Sequence, residues 1–215
     1  MDIIDSLYLG TQANQALDAP LTQEQKKSMI DAAAQKLAEL MEILRIDHRS
    51  DPNTQETPHR VARMYVNELL AGRFTAPPRL TEFDCVETSS DLMVTGPIEM
   101  RSTCAHHLMP IYGSAIIGVI AADGRVIGLS KYDRVVHHFA RRFQVQEELT
   151  RQIGDYLMER TAPRGVHMCK THRGVLASHE SQMISSAYYG VLKDDPKLKA
   201  EFLEECRSLE SRSRT

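Results

Sequence analysis

Apolar residues recur at steps of three and four along the first third of the chain, which is the pattern of amphipathic helices. One such run, residues 30–44, follows a sequence at residues 22–25 that resembles a capping box. It predicts a long helix that ends near Ile46. A second helix is predicted from Thr57, where a proline follows the capping threonine, to Gly72.

In the second half of the chain the pattern changes to short apolar runs between turn residues, which predicts strands. Residues 92–95 and 98–101 are two such runs separated by a Gly-Pro pair, and residues 112–121 form a longer run rich in isoleucine and valine. Asp123-Gly124 is typical of a hairpin turn, so residues 125–129 are predicted to be the return strand.

Two helices and two further strands are predicted next. The sequence from Ser130 to Asp133 fits the signature of a helix start, and a second helical segment begins at Gln146. Residues 166–169 and 182–189 are predicted strands, and a final helix opens at Pro196. The order strand-strand-helix-helix-strand-strand favours an antiparallel α+β domain over a doubly wound parallel one.

The length and composition of the chain limit its domain organisation and the class of protein to which it can belong. We predict a loosely ordered arm at residues 1–20 within an N-terminal helical extension, residues 1–90, and a catalytic domain with a C-terminal helix at residues 91–215. The chain is 42% hydrophobic and 26% charged with a net charge of -3, which fits a globular protein and argues against a general nucleic-acid binder.

The predicted location is cytoplasmic. No apolar run approaches the ~20 residues needed to cross a bilayer, so no membrane association is expected. The first residues lack the pattern of a secretory signal, and four cysteines without such a signal fit a reducing compartment. Cys85 and Cys206 have no histidine at ligand spacing and are interpreted as ordinary thiols.

A thiol and an imidazole at Cys104 and His107 stand three residues apart, a spacing at which both can bind one cation from a tight turn. Cys169 lies late in the chain, two residues after His167. Three ligands, Cys104, His107 and Cys169, would leave a fourth tetrahedral position for water, as in catalytic zinc sites. The alternative is that the cysteines are buried apolar thiols and the histidines are core or surface groups.

Adjacent histidines cannot easily bind one ion together. If His107 is the ligand, His106 is free to act as a general acid or base. His167 could donate a proton beside Cys169 in the same way. A second pair, His137-His138, lies inside a predicted helix and is interpreted as structural or surface-exposed.

Basic residues form a second group of candidates. The pairs at helical spacing are Arg60 with Arg63 and Lys131 with Arg134, and Arg173 follows the Cys169 strand. Each pair can present two cations on one helix face, and the helix start at Ser130 adds exposed backbone N–H groups. Together they could hold a polyphosphate, although each pair taken alone is better explained as a solvated helix face.

With these residues placed, the sequence resembles the GTP cyclohydrolase I family from about Thr22 to the C-terminal helix. The blocks that carry the resemblance are TPHRVA at 57–62, STCAHH at 102–107, GLSK at 128–131 with Arg134, QVQE at 144–147 and the segment 167–175. The resemblance implies the tunnelling fold, an antiparallel four-stranded sheet with two helices on one face, preceded by an N-terminal helical extension. It also implies a homodecameric ring with active sites shared between neighbouring subunits.

Members of that family convert GTP to 7,8-dihydroneopterin triphosphate and formate with one zinc ion per subunit. By resemblance, the zinc ligands are Cys104, His107 and Cys169. His167 would protonate the guanine, His106 would relay protons during ring opening, and Ser130 would assist the rearrangement of the ribose.

The resemblance also assigns the substrate-binding residues. Glu147 matches the carboxylate that accepts two hydrogen bonds from guanine, and Gln146 lies beside it. The matched triphosphate ligands are Arg60, Arg63, Lys131, Arg134 and Arg173. The sequence departs from the family at Ala105, where a glutamate is usual, and at His172; we expect both changes to leave the reaction class intact.

Two other functions are alternatives to this one. A tunnelling-fold relative that reduces a nitrile in deazaguanine synthesis uses a nucleophilic cysteine and NADPH and does not need this ligand set. A metal-binding structural or regulatory ring without turnover would be free to lose His106, His167 and Glu147. Their presence favours the enzyme.

Overall fold

The computed structural model describes residues 11–84, 92–122, 124–176 and 179–212, and for residues 167–182 it describes the backbone. The chain divides into two compact units, Met1–Ala76 and Pro77–Thr215. The predicted boundary between residues 90 and 91 falls outside the described residues, as does Cys85, so both interpretations stay predictions.

The first unit is built on helix α1, Gln23–Ile43, which begins with the predicted capping box. The backbone N–H of Thr22 donates to Oε1 of Gln25 at 2.8 Å, and the N–H of Gln25 donates to Oγ1 of Thr22 at 3.2 Å. These two bonds satisfy N–H groups that would otherwise lack partners at the helix start. The helix ends three residues before the predicted Ile46.

The second predicted helix is confirmed as three consecutive segments. They are α2, Thr57–Met64, a π-helical turn, Tyr65–Leu69, and α3, Ala71–Phe74. The proline after Thr57 lies in the first turn, where its missing N–H costs no hydrogen bond. The expected capping role of Thr57 is wrong, because Glu56 is the N-cap and no side chain caps this helix.

Residues 11–17 are held by Arg73 of α3. The guanidinium donates to the carbonyl oxygens of Gln12 at 2.6 Å and Gln15 at 2.8 Å, and to Oγ1 of Thr11 at 2.6 Å. The backbone N–H of Leu17 in turn donates to the carbonyl of Arg73 at 3.0 Å. The prediction of a loosely ordered arm is therefore wrong for this part, because one side chain binds several of its backbone carbonyls.

The second unit contains the main sheet. Among the described residues its strands are β2, Leu92–Cys104, β3, Pro110–Ile120, β5, Phe143–Gln144, β6, Gly165–Leu176, and β7, His179–Gly190. The order is β5-β2-β3-β6-β7, with the four long strands antiparallel and the two-residue β5 parallel to β2. The predicted four-stranded antiparallel sheet is confirmed, with β5 as a short addition at one edge.

Two strand predictions need correction. The runs at 92–95 and 98–101 belong to the single strand β2, which is irregular between Thr95 and Ile98 but stays paired with β3 on both sides. The predicted return strand is β4, Arg125–Ile127, and it pairs with β1, Glu82–Asp84, instead of β3. Both sides of β3 are already bonded, by β2 and β6, so the return strand cannot extend that sheet.

Two helices cover one face of the sheet, as predicted. They are α4, Leu129–Ala140, and α5, Gln146–Thr161. Their buried residues, which include Val136, Phe139 and Ile153, pack with Met100 and Ile117 of the sheet. Helix α4 begins one residue before Ser130, after Gly128, and no side chain caps it, so the expected capping role of Ser130 is wrong.

The C-terminal helix covers part of the sheet at a second hydrophobic cluster. A short helix α6, Val191–Asp194, leads into α7, Pro196–Arg212. Phe202 of α7 is fully buried and packs with Ile116 of β3. Among the described residues, none of the helices combines the length and the apolar character that crossing a membrane requires.

Candidate active site

The Cys104–His107 segment forms a tight turn at the end of β2. The carbonyl of Cys104 accepts from the N–H of Leu108 at 2.9 Å, and the N–H of Cys104 donates to the carbonyl of Met109 at 2.9 Å. The N–H of Ala105 donates to the carbonyl of Gln144 on β5 at 3.1 Å. These bonds fix the backbone, so the turn presents its side chains from a defined position.

The two histidines of the turn are exposed. Their ring centres are 6.4 Å apart, and the ring planes are inclined by 76°. Which of the two is the metal ligand stays a prediction.

The structure does not bring the backbone of Cys169 to this turn. Thr103 pairs with Pro110 of β3, and the next residue, Ile111, pairs with Gly174 of β6. Cys169 pairs instead with Ile116, five residues further along β3. At ~3.3 Å per residue this offset is about 17 Å along the strand. His167, which pairs with Gly118, lies further still from the turn.

The fit of a zinc ion is therefore partial. Cys104 is a free, partly exposed thiol, and His107 is an exposed imidazole; thiolate and imidazole are the donors that zinc prefers. Among the residues whose side chains the structure describes, no group of three possible metal ligands occurs. The structure places two of the three predicted donors on one turn, and all three stay predicted ligands.

The start of α4 places two of the predicted phosphate ligands together. Lys131 lies in the first turn, where its Nζ donates to the carbonyl of Arg79 at 3.3 Å, and Arg134 is exposed three residues later. The first turn contains no acidic residue, so the positive end of the helix dipole is not neutralised locally. Ser130 is exposed on the same turn. This helix start can accept an anion.

The remaining predicted cations lie elsewhere. Arg173 is on β6, where its backbone pairs with Tyr112. Arg60 and Arg63 are exposed on α2 of the first unit. Their contribution to phosphate binding stays a prediction.

Gln146 and Glu147 open helix α5 and have opposite surroundings. Gln146 is 5% exposed, and its Nε2 donates to the carbonyl of Met183 on β7 at 3.2 Å. Its Oε1 is buried and has no hydrogen-bond partner among the residues whose side chains the structure describes. Glu147 is exposed in the first turn, where the helix dipole stabilises a carboxylate. A carboxylate of this kind can accept hydrogen bonds from a ligand that carries several N–H groups.

Glu147 lines a cleft of about 520 Å³ between α5 and β7. Oγ1 of Thr150 lies 2.7 Å from Oγ of Ser185 across this cleft. Further along, the ring of Tyr189 covers Gly154, where a Cβ atom would overlap it. Burial and a hydrogen bond to Asp155 raise the pKa of Tyr189, so the phenol stays neutral. The volume is in the usual range for small-molecule pockets.

The sequence interpretation missed these cleft residues. One signal was present, because Gly154 interrupts the apolar pattern inside a predicted helix, and such a glycine often marks a close approach by another group. The pairing of Thr150 with Ser185 had no local signal, since 35 residues separate them.

Comparison with known proteins places this geometry in a family. The family model described as GTP cyclohydrolase I matches residues 33–207, a range that contains every predicted site residue. The chain belongs to the GTP cyclohydrolase I family. Membership identifies it as an enzyme of the hydrolase class, and the predicted tunnelling fold is confirmed with it.

Several GTP cyclohydrolase 1 proteins are similar over most of their length. The protein of Carboxydothermus hydrogenoformans is 42% identical over 161 residues, which cover 70% of this chain and 83% of the relative. That of Flavobacterium johnsoniae is 36% identical over 215 residues, which cover 95% of this chain and 93% of the relative. A solved structure of the archaeosine synthase QueF-Like in the apo form aligns at 15% identity with a TM-score of 0.37. The alignment covers 47% of this chain and 96% of that one, and a similarity at this level supports no conclusion.

Proposed function

We propose that the protein hydrolyses GTP to 7,8-dihydroneopterin triphosphate and formate. The observation that carries the proposal is the family match over residues 33–207, together with an exposed histidine turn, a basic helix start and an exposed carboxylate at Glu147. These features lie in one compact unit of the chain. Opening and rebuilding a guanine ring requires groups of these kinds: residues that transfer protons, residues that bind phosphate and a residue that recognises the guanine base.

The proton-transfer roles follow the family resemblance. His106 is exposed on the turn and would relay protons during opening of the imidazole ring. His167 would protonate the guanine, and Ser130 would assist the rearrangement of the ribose. Imidazoles suit these steps because their ordinary pKa lies near neutral pH.

Zinc is proposed as the cofactor, held by Cys104, His107 and Cys169. When bound, such an ion supplies a water molecule whose pKa is lowered to about 7. The support from the structure is the exposed Cys-x-x-His turn, and the third ligand rests on the resemblance. Because the register of β6 separates Cys169 from the turn, the ligand set needs a direct test.

Glu147 would select guanine by accepting hydrogen bonds from N1–H and the exocyclic amine, which adenine cannot offer as a pair. Gln146, the preceding residue, is a substrate ligand by the family resemblance, and its Nε2 anchors the start of α5 to β7. The triphosphate would bind Lys131 and Arg134 at the positive end of α4. The family resemblance adds Arg173, Arg60 and Arg63 to the triphosphate ligands.

The protein is further proposed to be cytoplasmic and to assemble as a homodecamer with active sites at subunit interfaces. Its partners would be GTP and further copies of the same chain.

The test is turnover of GTP by zinc-loaded protein. We expect equal molar amounts of formate and of pterin, with the pterin measured by its fluorescence after oxidation. Glu147→Ala should lower kcat/KM for GTP by at least about 100-fold. Without the carboxylate, the N–H groups of the bound guanine would be buried without an acceptor. Glu148→Ala, on the next and equally exposed position, is the matched control and should stay near the wild-type value.

Protein that binds zinc but yields neither product would contradict the proposal. Consumption of NADPH with a nitrile substrate would favour the deazaguanine-pathway reductase instead. Zinc binding with no turnover of either substrate would favour a structural or regulatory homologue.

A further inference from the structure

A buried pair of one arginine and one histidine lies next to strand β5, which supports the active-site turn. Arg142, between α4 and β5, is 5% exposed, and His138, one helical turn earlier, is 8% exposed. Nη2 of Arg142 lies 2.8 Å from Nε2 of His138, and its guanidinium carbon lies 4.6 Å from the centre of the Phe139 ring. Because a guanidinium only donates hydrogen bonds, Nε2 of His138 must accept. Burial, with the charge of Arg142, lowers the pKa of His138 to about 4, so the imidazole is neutral and can accept.

The backbone next to this pair is joined to strand β2. Oγ of Ser102, which is itself buried, donates to the carbonyl of Arg142 at 3.5 Å. Strand β5 starts at the next residue and pairs in parallel with the last two residues of β2, Thr103 and Cys104. The position of Arg142 therefore sets where β5 meets the end of β2.

Strand β5 is the outer support of the turn. The carbonyl of Gln144 accepts from the N–H of Ala105. The side chain of Gln144 is buried, and its Nε2 donates to the carbonyl of Phe139 at 2.6 Å and to Oε1 of Gln152 at 3.0 Å. The turn is thus linked through one residue to both covering helices. The exposed side chains of residues 106–109 provide little packing that could hold it otherwise.

We propose that Arg142 is a positioning residue: its buried contacts with His138 and Phe139 hold β5, and β5 holds the Cys104–His107 turn in the orientation that the reaction needs. Arg142 acts through the backbone and does not touch the substrate. The catalytic consequence rests on the proposed function, whereas the effect on the turn does not.

Substitutions at Arg142 separate charge from geometry. Arg142→Lys keeps the positive charge but loses the planar group that bonds His138 while lying over Phe139. Arg142→Met keeps apolar volume and loses both. Arg141→Lys and Arg141→Met are matched controls, because Arg141 is the preceding residue and is exposed.

The first readout is amide hydrogen exchange of the turn. The N–H groups of Cys104, Ala105 and Leu108 are bonded in the turn, so their exchange reports its opening. We expect both Arg142 variants to speed exchange there by at least about tenfold, with exchange in α5 unchanged. The Arg141 variants should match the wild type.

The second readout is the kinetics with GTP. A misplaced turn should lower kcat by about 100-fold, while KM changes little because Glu147 and the α4 cations are untouched. Loss of stability alone would lower the amount of active enzyme, without speeding exchange in the turn selectively.

Variants of His138 supply a rescue test. His138→Leu removes the acceptor and should reproduce the effect of Arg142→Met on the turn. His138→Gln offers an amide oxygen to the guanidinium and should restore most of the protection.

Unchanged exchange in the turn of Arg142→Met, or faster exchange spread evenly over the second unit, would overturn the proposal. A wild-type protein without pterin product would refute the proposed function. In that case the exchange measurement still decides whether Arg142 holds the turn.

Discussion

Gln146 and Glu147 illustrate how two adjacent polar residues take different roles at the residue scale. The amide of Gln146 is turned inward, where it ties α5 to the backbone of β7, and the carboxylate of Glu147 is left exposed in the cleft. A buried charge would require a partner, whereas burial of a neutral amide costs less, and the Met183 carbonyl accepts from the Nε2 of Gln146. Burial thus assigns the anchoring role to the amide and leaves the carboxylate available for a ligand.

The proposed metal site predicts different losses for two single substitutions. Cys104→Ala should retain less than about a tenth of the zinc and lose turnover, because a direct ligand is gone. His106→Ala should keep the zinc while kcat falls about 100-fold or more, since only a proton carrier is removed. Zinc per chain by elemental analysis and turnover of GTP are the measurements.

Cys169→Ala tests the ligand that the register of β6 keeps apart from the turn. If Cys169 binds the ion, its removal should lower zinc content as far as Cys104→Ala does. Cys206→Ala, at a buried position on α7, is the control for general effects of losing a thiol. Full zinc content in Cys169→Ala would mean that another residue completes the site.

Short hydrogen-bonded segments position the functional groups at the element scale. Strand β5 has only two residues, yet it pairs with the end of β2 and accepts from the turn. Helix α4 supplies cations at its start and the buried His138 near its end. The elements therefore carry binding groups at their exposed ends and supporting groups where they are buried.

The buried imidazole on α4 should make stability depend on pH. The pKa of His138 is lowered from 6.5 to about 4, so between these values the unfolded chain binds a proton that the folded chain does not. The stabilisation is complete above about pH 6.5 and is lost as the pH falls toward 4, by at most about 1.4 kcal/mol per pH unit.

Urea unfolding of the wild type and His138→Gln between pH 4 and 7 measures this dependence. The variant should lose less free energy of unfolding over the window, because glutamine does not titrate. His137→Gln, at the neighbouring and more exposed position, should keep the wild-type slope. Equal slopes for all three proteins would exclude His138 as the titrating group.

The contact between Arg73 and residues 11–15 predicts a local effect within the first unit. Arg73→Lys should free this segment, because one ammonium cannot reach the set of carbonyls that the guanidinium binds. Limited proteolysis should then cut within residues 11–17 faster than in the wild type. Arg45→Lys, an exposed position in the same unit, is the control and should leave the cutting rate unchanged.

Among the described strands, β7 and the short β5 form the edges of the main sheet at the scale of the whole molecule. An edge strand exposes N–H and C=O groups that can pair with another chain. Ile184 on β7 is 62% exposed, an unusual position for a large apolar side chain at an edge. These features fit the proposed homodecamer, in which a second copy would cover this edge.

The proposed decamer predicts a particle of ten times 24.3 kDa, or about 243 kDa, in sedimentation experiments. Ile184→Pro should lower the particle mass, because proline removes an N–H and disfavours pairing along β7. Ile184→Val keeps both the apolar character and the strand preference and should sediment like the wild type. A wild-type mass of a single chain would contradict the decamer.

Local chemistry accounts for what could be predicted from sequence. Helix starts at Thr22 and Thr57 were predicted because capping and proline preferences act within four residues. The ligand spacing of Cys104 and His107 is equally local and also carried the family resemblance. Two of the backbone hydrogen bonds of this turn, between Cys104 and Met109 and between Leu108 and Cys104, are local as well.

Tertiary pairing decided the rest. Strand β4 pairs with β1 because both sides of β3 are occupied, and no residue within the hairpin signal reports that occupancy. The position of Cys169 depends on the register of β6 against β3, which is set along a whole strand. His138 and Arg142 lie four residues apart in sequence, but their burial comes from the sheet beneath them, and burial is what turns two ordinary polar residues into a support for the active-site turn.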